Sequence, residues 1–239
     1  MSLTVARRGD VSLAEVVGDA PVDVAAVGRE TAADLLLAVG EPAVRTLAAD
    51  PPPVPTLLVG ADVGPHGVAV DRVGAALRAL AIEPSRLERT RAHPRLAVTV
   101  DSIRAEAVLD VALVTSEAAR ISEYTVGELA SFRADGVVVA TPVGSAGYGH
   151  AAGGPVLTTE AGLAVVPISP YTTRPSTWVT DAPVTLSVER DETPVSLVVD
   201  GVARREVGVD DPVRIDVAGV VDLIRPPCSP DDARRLEKL

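Results

Sequence analysis

A glycine-rich loop past the middle of the chain carries the residue types best suited to binding chemistry. Five glycines fall within eleven residues, at Gly144, Gly147, Gly149, Gly153 and Gly154. A loop so poor in side chains lets a ligand lie against backbone amide groups. Thr141 and Ser145 offer hydroxyl groups, and the ring of Tyr148 could stack on a base. A glycine-rich β-turn between two strands would have the same composition, so the glycine count alone leaves both interpretations open.

A short apolar strand must position this loop. The run from Val137 to Ala140 predicts a buried strand, and Thr141-Pro142 ends it because proline has no amide hydrogen for a ladder. Asp135-Gly136 stands directly before the strand. An Asp before a Gly is common in β-turns, so Asp135 is open to a turn role as well as to a ligand contact.

The residues around the loop resemble the signature of the NAD kinase family. In that family an Asp-Gly strand leads into Thr-Pro-Thr-Gly-Ser-Thr-Ala-Tyr and then into Ser-Ala-Gly-Gly-Pro. The residues that match in order and spacing are Asp135-Gly136, Thr141-Pro142, Gly144-Ser145, Tyr148 and Ala152-Gly153-Gly154-Pro155. Further resemblance lies at Pro167 to Tyr171, Arg174-Pro175 and Val199-Asp200-Gly201, with Tyr171 in place of a family histidine. The resemblance extends from about residue 105 to about residue 225.

This resemblance implies a phosphotransferase that makes NADP from NAD with ATP or polyphosphate and Mg²⁺. It also implies which residues bind the dinucleotide. The implied substrate-binding residues are Asp110, Asp135, Thr141, Gly144, Ser145, Ala146, Tyr148, Gly153 and Gly154. For Tyr148 the alternative is core packing, although a tyrosine in a glycine loop of a chain with only 2% aromatic residues favours a ligand.

The phosphate-binding motif is where the chain departs most from the family. There a Gly-Gly-Asp-Gly-Thr loop cradles phosphate, and its Asp takes the proton from the adenosine ribose hydroxyl. After the apolar run from Leu35 to Ala38 this chain has Val39-Gly40-Glu41-Pro42-Ala43, so Gly40 is retained and Glu41 is the candidate catalytic base. Its extra methylene shifts the carboxylate, and a misplacement of ~1 Å can cost on the order of a hundredfold in rate.

Pro42 is a second departure in this loop. It removes an amide donor and predicts an extended backbone at Glu41. An acidic residue at a helix start is also favoured by the helix dipole, so a solvated acid remains the alternative role for Glu41.

Two further family positions are altered. The family's Asn-x-Gly-x-x-Gly loop corresponds to Asp62 through Gly67, which keeps Gly64 and Gly67 as phosphate-loop candidates and replaces the Asn. The family's Asn-Glu pair corresponds to Leu109-Asp110, which keeps a carboxylate but not the amide.

The pattern of elements predicts an α/β domain followed by an all-β domain. Strands alternate with helices up to about residue 92, which predicts a small parallel, Rossmann-like domain. Its expected strands are Leu3 to Ala6, Val22 to Val27, Leu35 to Val39 and Thr56 to Val59, and its helices are Ala43 to Ala49 and Val70 to Ala81. A terminal helix is expected from Ser229, capped by serine with acidic residues in its first turn, and the resemblance implies that residues 226–239 pack back on the first domain.

The strand-like segments of residues 93–225, separated by Gly, Pro and Asp, predict an all-β domain. The resemblance implies that this domain is β-sandwich-like and binds the dinucleotide. Besides Val137 to Ala140, the expected strands are Arg95 to Val100, Ala105 to Thr115, Glu117 to Thr125, Leu129 to Ala134, Ala164 to Ile168, Val184 to Val188, Val195 to Val199, Pro212 to Val217 and Val221 to Ile224. No internal repeat is visible.

Composition excludes several partner classes. The net charge is −11, from 33 acidic and 22 basic residues, and no Lys/Arg cluster of the kind that binds nucleic acid appears. No apolar run is long enough to span a membrane, and the N-terminus lacks a signal-peptide pattern. Cys228 is the single cysteine, so an intramolecular disulfide is excluded and a cytoplasmic location is expected. His93 and His150 have no partner at ligand spacing, so no protein-bound metal is predicted.

An acidic chain with a single lysine fits a halophilic, haloarchaeal-type protein, although high-GC coding bias would produce much of the same pattern. Three functional hypotheses follow. The first is an NAD kinase with Glu41 as base, the second a non-catalytic NAD(P)-binding regulatory paralogue, and the third a related lipid or sugar kinase. The resemblance also implies a homodimer or homotetramer.

Overall fold

The computed structural model describes residues 3–9, 22–24, 30–60, 64–117, 121–158, 161–190 and 194–225. The predicted terminal helix, Asp62 and Cys228 lie outside these residues. Among the residues described, one compact unit consists of residues up to 43, 52–91 and 222–225, and a second consists of residues 44–51 and 92–221. No helix in the described part of the chain is long and apolar enough to cross a membrane.

The strands are β1 Leu3–Arg8, β2 Val22–Val24, β3 Leu35–Val39, β4 Thr56–Val59, β5 Gly67–Val68, β6 Thr90–Val100, β7 Ile103–Ala107, β8 Asp110–Thr115, β9 Ser122–Val126, β10 Ala130–Ala134, β11 Gly136–Ala140, β12 Leu163–Ile168, β13 Trp178–Thr180, β14 Val184–Arg190, β15 Val195–Val199, β16 Val202–Val207 and β17 Val213–Ile224. The helices are α1 Glu41–Ala49, α2 Val73–Ile82 and the single turn α3 Tyr148–Ala151.

The first unit is built on a parallel sheet. Its strands lie in the order β2-β1-β3-β4, with β5 parallel to β4 on one side. Leu223, near the end of β17, pairs with Thr56 of β4. Every residue of β3 is buried, as expected for a parallel strand covered on both faces. Helix α2 packs Val73 and Leu77 into the same core as β3 and β4.

The second unit is a pair of β-sheets. One sheet has the order β10-β9-β14-β17, followed by β6 and β7, and the other has the antiparallel order β13-β12-β11-β8-β15-β16. Leu96, Leu186, Leu113 and Leu197 come from the two sheets and share one core. The predicted combination of an α/β domain and a β-sandwich is confirmed.

Strand β11 is buried on both of its faces. Val137 and Val139 belong to the core between the two sheets, whereas Val138 and Ala140 belong to a second cluster that includes Leu157 and Val166. This double burial explains why an antiparallel strand has a continuous apolar run rather than an alternating one. It also fixes the end of the strand from which the glycine-rich loop departs.

Several predicted boundaries were wrong. The single strand expected from Ala105 to Thr115 is two strands, because the chain leaves one sheet and enters the other at Val108-Leu109. The two strands expected at the C-terminal end form one strand, β17. The edge strands β13 and β16 were not predicted, and most of β16 is exposed without alternation. The glycine-rich stretch contains a 3₁₀ turn, Gly144–Ala146, and α3 rather than an open loop.

Candidate functional site

Thr141 lies at the end of β11, where its hydroxyl group holds backbone. The side chain is fully buried, and Oγ1 donates to the carbonyl oxygens of Val108 and Leu109 at 2.8 and 3.0 Å. The same oxygen accepts the amide hydrogen of Gly144 at an N–O distance of 3.2 Å. The structure therefore places Thr141 between the turn at Val108-Leu109 and the start of the glycine-rich stretch, as a support for both.

Ser145 supports the same stretch one turn later. It is fully buried, its Oγ donates to the carbonyl oxygen of Pro142 at 2.7 Å, and it accepts the amide of Leu157 at 2.8 Å. The two hydroxyl groups that the sequence suggested for a ligand are thus both engaged with backbone. Their effect on a ligand is through the shape of the stretch that they hold.

Three of the glycines are explained by close packing or by backbone conformation. A Cβ at Gly144 would overlap the carbonyl oxygen of Leu109, and a Cβ at Gly154 would lie 2.5 Å from Val166 Cγ2. Gly153 has open space around it but a φ of +93°, which L side chains rarely adopt. Close packing against strands therefore explains part of the glycine content that a backbone-binding loop would also explain.

Tyr148 is an exposed aromatic side chain of this region. It begins α3, is 45% exposed, and lines a cavity of about 500 Å³ together with Ala152, Gly153, Ile168, Pro170 and Thr177. Burial and the negative charge of Asp110 raise the pKa of the Tyr148 phenol. The phenol therefore stays protonated at neutral pH and keeps a hydrogen to donate. Ala146, just before it, is half-buried.

Asp110 begins β8 directly after the turn at Val108-Leu109. Its side chain is 7% exposed, and its charge acts on the phenol of Tyr148. Asp110 pairs with Ala140 at the end of β11, and Gly149, the residue after Tyr148, lies so close to Ala140 that a Cβ at Gly149 would be 3.1 Å from the Ala140 Cβ. The fold therefore brings Asp110 to the segment that carries Tyr148, 38 positions further along the sequence.

Asp200 is a residue whose contacts sequence reasoning missed. Its carboxylate is buried and accepts amide hydrogens from Val108, Leu109 and Asp110 at N–O distances of 2.9, 2.8 and 3.0 Å. Burial raises its pKa, while these three hydrogen bonds and the charge of Arg45 act in the opposite direction. The sequence feature that could have indicated this turn is the Asp200-Gly201 pair. It forms the two-residue hairpin turn between β15 and β16, with positive φ at both residues.

Asp135 lies between β10 and β11 and is partly exposed. Its amide donates to Ile168 at 2.9 Å, and its carbonyl accepts from the amide and hydroxyl of Thr115 at 2.9 and 3.0 Å. The backbone of Asp135 is therefore fixed by two neighbouring segments. Its negative charge also contributes to the raised pKa of the buried Tyr124, after the larger effect of burial.

The buried Tyr124 predicts a stability change in alkali. Its pKa is raised from 10.0 to about 12, so the unfolded state loses the phenolic proton first. The resulting stabilisation is complete below pH 10, and about 3 kcal/mol of it is lost as the pH rises through 12. We expect Tyr124→Phe to remove this slope in urea denaturation measured from pH 9 to 12. Tyr171→Phe, at a tyrosine that is 72% exposed, is the control, and a slope that persists in Tyr124→Phe would contradict the assignment.

In the first unit, the predicted phosphate-loop glycines lie at or beyond the carboxyl ends of β3 and β4. Gly40 has a φ of +79°, and its amide donates to Val59 at 2.8 Å. Gly60 approaches it closely, since a Cβ at Gly60 would lie 3.9 Å from Gly40 Cα. Gly64, with a φ of +51°, begins a 3₁₀ turn. Gly67 begins β5 and pairs with Leu58 of β4. The carboxyl edge of a parallel sheet is where α/β domains bind ligands.

Glu41 is the first residue of α1 and is exposed. The extended backbone predicted for it was wrong, because Pro42 sits in the first helical turn, where a missing amide hydrogen breaks no intrahelical bond. Glu41 is thus a carboxylate beside the helix N-terminus at the edge of the sheet. Among the described residues, no group of three or more His, Cys, Asp or Glu is arranged to hold a metal ion.

Comparison with known proteins supports the resemblance in two independent ways. Residues 110–220 match the family model described as "ATP-NAD kinase C-terminal domain". An NAD kinase from Thermoplasma acidophilum is 30% identical over 200 residues, which cover 78% of this chain and 71% of that protein. The chain belongs to the NAD kinase family. The part of the chain that the family model matches contains β8, β11, the glycine-rich stretch and Asp200.

Other NAD kinases match over different lengths. The NAD kinase of Rhodopirellula baltica is 35% identical over 159 residues, covering 60% of this chain and 51% of that protein, so the chain matches about half of its length. An Archaeoglobus fulgidus NAD kinase, whose structure was solved in complex with ATP, has the same fold, with a TM-score of 0.68 and 21% identity over 100% of this chain and 98% of that one.

Proposed function

We propose that the protein is an NAD kinase that transfers a phosphoryl group from ATP or polyphosphate to the adenosine ribose of NAD. The observation that carries this proposal is the arrangement of residues 135–154. The family signature forms a hydrogen-bonded framework that presents Tyr148 beside a cavity and within reach of the charge of Asp110. A framework of that kind suits a polar ligand with a flat ring.

In this proposal the second unit binds the dinucleotide. Tyr148 contacts a ring of NAD, and Asp135 and Asp110 accept hydrogen bonds from its polar groups. Gly153 leaves the surface beside α3 free of a side chain, and Gly154 acts by letting the chain pack closely against Val166. Thr141, Gly144 and Ser145 act indirectly, by holding the backbone on which these groups stand.

The first unit supplies the chemistry. Phosphoryl transfer depends mainly on positioning and on one residue that orients the nucleophile. Glu41 accepts the ribose hydroxyl proton, and the loops that contain Gly40, Gly64 and Gly67 bind phosphate at the carboxyl edge of the sheet. Mg²⁺ would arrive with the phosphates of the donor.

An assay for NADP formation tests the proposal. The full chain is incubated with NAD, Mg²⁺ and either ATP or polyphosphate, in low and in high potassium chloride, and NADP is measured by an NADP-specific dehydrogenase. We expect NADP with at least one donor, and a high-salt optimum if the acidic surface is a halophilic adaptation. Measurable NAD binding without NADP in any condition would support the non-catalytic alternative, which none of the comparisons favours.

Location and assembly belong to the same proposal. We infer a cytoplasmic homodimer or homotetramer, and sedimentation at several concentrations tests the oligomeric state.

Replacing Tyr148 tests the ligand contact directly. Tyr148→Ala removes a half-exposed ring, so we expect little loss of stability but a weakening of NAD binding by about tenfold or more, the equivalent of one lost stacking contact. The measurement is isothermal titration calorimetry with NAD. Tyr171→Ala, at the other exposed tyrosine of the described residues, is the matched control. Equal effects of the two substitutions would contradict a specific role for Tyr148.

A further inference from the structure

The turn from Val108 to Asp110 is held from two sides by side chains from distant parts of the chain. On one side the Asp200 carboxylate accepts all three of its amide hydrogens. On the other side the Thr141 hydroxyl group donates to the carbonyl oxygens of Val108 and Leu109. The carbonyl oxygens of Leu109 and Asp110 also accept the backbone amides of Thr141 and Asp200, both at 2.9 Å, and His93 Nε2 lies 2.9 Å from the carbonyl oxygen of Val108. Asp200 and Thr141 therefore each hold the turn by a side chain and by an amide, and neither lies in an adjacent element of the sequence.

Asp200 is built for this contact. Its side chain is 5% exposed, and its φ of +47° places it in the left-handed region that a hairpin turn requires. The guanidinium group of Arg45 lies against the next residue, since a Cβ at Gly201 would be 2.6 Å from its Nη2. Its positive charge favours the ionised form of Asp200. Burying a carboxylate costs free energy even when three amides donate to it and a cation lies nearby. A simple surface turn would not need such a group.

The turn is linked to both of the residues, Asp110 and Tyr148, that the proposed function places on the dinucleotide. It ends at Asp110, which pairs with Ala140 of β11, and Gly149, next to Tyr148, lies against the same Ala140. The charge of Asp110 acts on the phenol of Tyr148. Its Leu109 carbonyl packs so closely on Gly144 that no side chain fits there, and Gly144 starts the helical turns that lead to Tyr148. A movement of the turn would therefore displace Asp110 and Tyr148 relative to each other.

We propose that Asp200 and Thr141 are positioning residues that hold the 108–110 turn so that Asp110 stands beside Tyr148, and that they thereby set the affinity for the dinucleotide. The inference rests on the proposed NAD kinase function for its ligand. The juxtaposition of Asp110 and Tyr148 is a property of the chain that can be measured without any ligand.

Two conservative substitutions break the support from opposite sides. Thr141→Val removes the hydroxyl group at nearly constant shape, and Thr141→Ser restores it. Asp200→Asn removes the charge and one acceptor oxygen, while asparagine tolerates positive φ as well as aspartate does. Asp101→Asn is the matched control, because Asp101 also has a positive φ of +49° but lies in an exposed turn. Thermal unfolding of each variant establishes that it is folded.

The first readout is kinetic. We expect Thr141→Val and Asp200→Asn to raise KM for NAD by about tenfold, while KM for the phosphate donor stays within about twofold, because the donor is bound by other residues. Thr141→Ser and Asp101→Asn should resemble the parent protein. Equal changes in both KM values, or none in either, would overturn the proposal.

The second readout is spectroscopic and independent of activity. The chain has three tyrosines, so Tyr124→Phe with Tyr171→Phe leaves Tyr148 as the single titrating phenol. In this background the ultraviolet titration of Tyr148 should move to lower pH in Asp110→Asn, and by a similar amount in Thr141→Val and Asp200→Asn. If Asp110→Asn shifts the titration and the other two do not, the turn is not held in the proposed way. If Asp200→Asn fails to fold, the titration of Tyr148 in Thr141→Val alone tests the proposal.

The two proposals fail in distinguishable ways. Absence of NADP formation in the parent protein would refute the kinase activity, but the titration of Tyr148 would still report on the turn. An unchanged titration in an active enzyme would refute the positioning role and leave the kinase proposal intact.

Discussion

Replacing Glu41 by glutamine is expected to lower kcat for NADP formation by at least a hundredfold, with KM for NAD within about twofold. The reason is that a positioned general base contributes about 10²–10⁴ in rate, and an amide of nearly the same shape cannot accept the proton. Loss of kcat at nearly constant KM is the pattern of an interaction made in the transition state. Steady-state kinetics with NAD varied at saturating ATP measures both constants.

The matched control for this substitution is Glu88→Gln. Glu88 is also an exposed glutamate of the first unit, and it lies outside the predicted site. Glu41→Asp adds a further test, because it keeps the carboxylate and restores the side-chain length of the family motif. An unchanged kcat in Glu41→Gln would show that Glu41 is a solvated acid stabilising the N-terminus of α1, the alternative that its position also permits.

Local sequence patterns predicted the elements that dominate the core. The bounds of β3 and β4 were predicted exactly, and β11 to within one residue, because each is a continuous apolar run bounded by Gly, Pro or Asp. Such runs are informative because a strand buried on both faces requires apolar side chains at every position.

Contacts between distant segments could not be predicted in the same way. The break between β7 and β8 falls inside an apolar run, and the residue that makes the break stable is Asp200, 90 positions beyond Asp110. Likewise, the hydroxyl groups of Thr141 and Ser145 are of a type that binds ligands. Only the fold shows that both hydroxyl groups donate hydrogen bonds to backbone carbonyl oxygens. Residue type indicated the region of the site, but the distribution of roles within it depends on tertiary packing.

Placing a single methyl group at Gly144 is expected to have the largest effect on stability of any alanine substitution in the glycine-rich stretch. In Gly144→Ala the new Cβ would overlap the carbonyl oxygen of Leu109, which cannot withdraw because it accepts hydrogen bonds from the amide and the hydroxyl of Thr141. Overpacking in a well-ordered core costs about 1–3 kcal/mol and sometimes more. We expect the upper end of that range, because relief requires movement of backbone rather than of a flexible side chain.

Urea denaturation at pH 7 measures this cost. Gly208→Ala is the matched control, since the nearest atom to its new Cβ would be Asp211 Oδ2 at 3.9 Å and its φ is not positive. A destabilisation of Gly144→Ala no larger than that of Gly208→Ala would contradict the packing that the structure shows. A large destabilisation would explain the glycine at this position by its approach to the 108–110 turn rather than by an amide left open for phosphate, because the Gly144 amide already donates to Thr141.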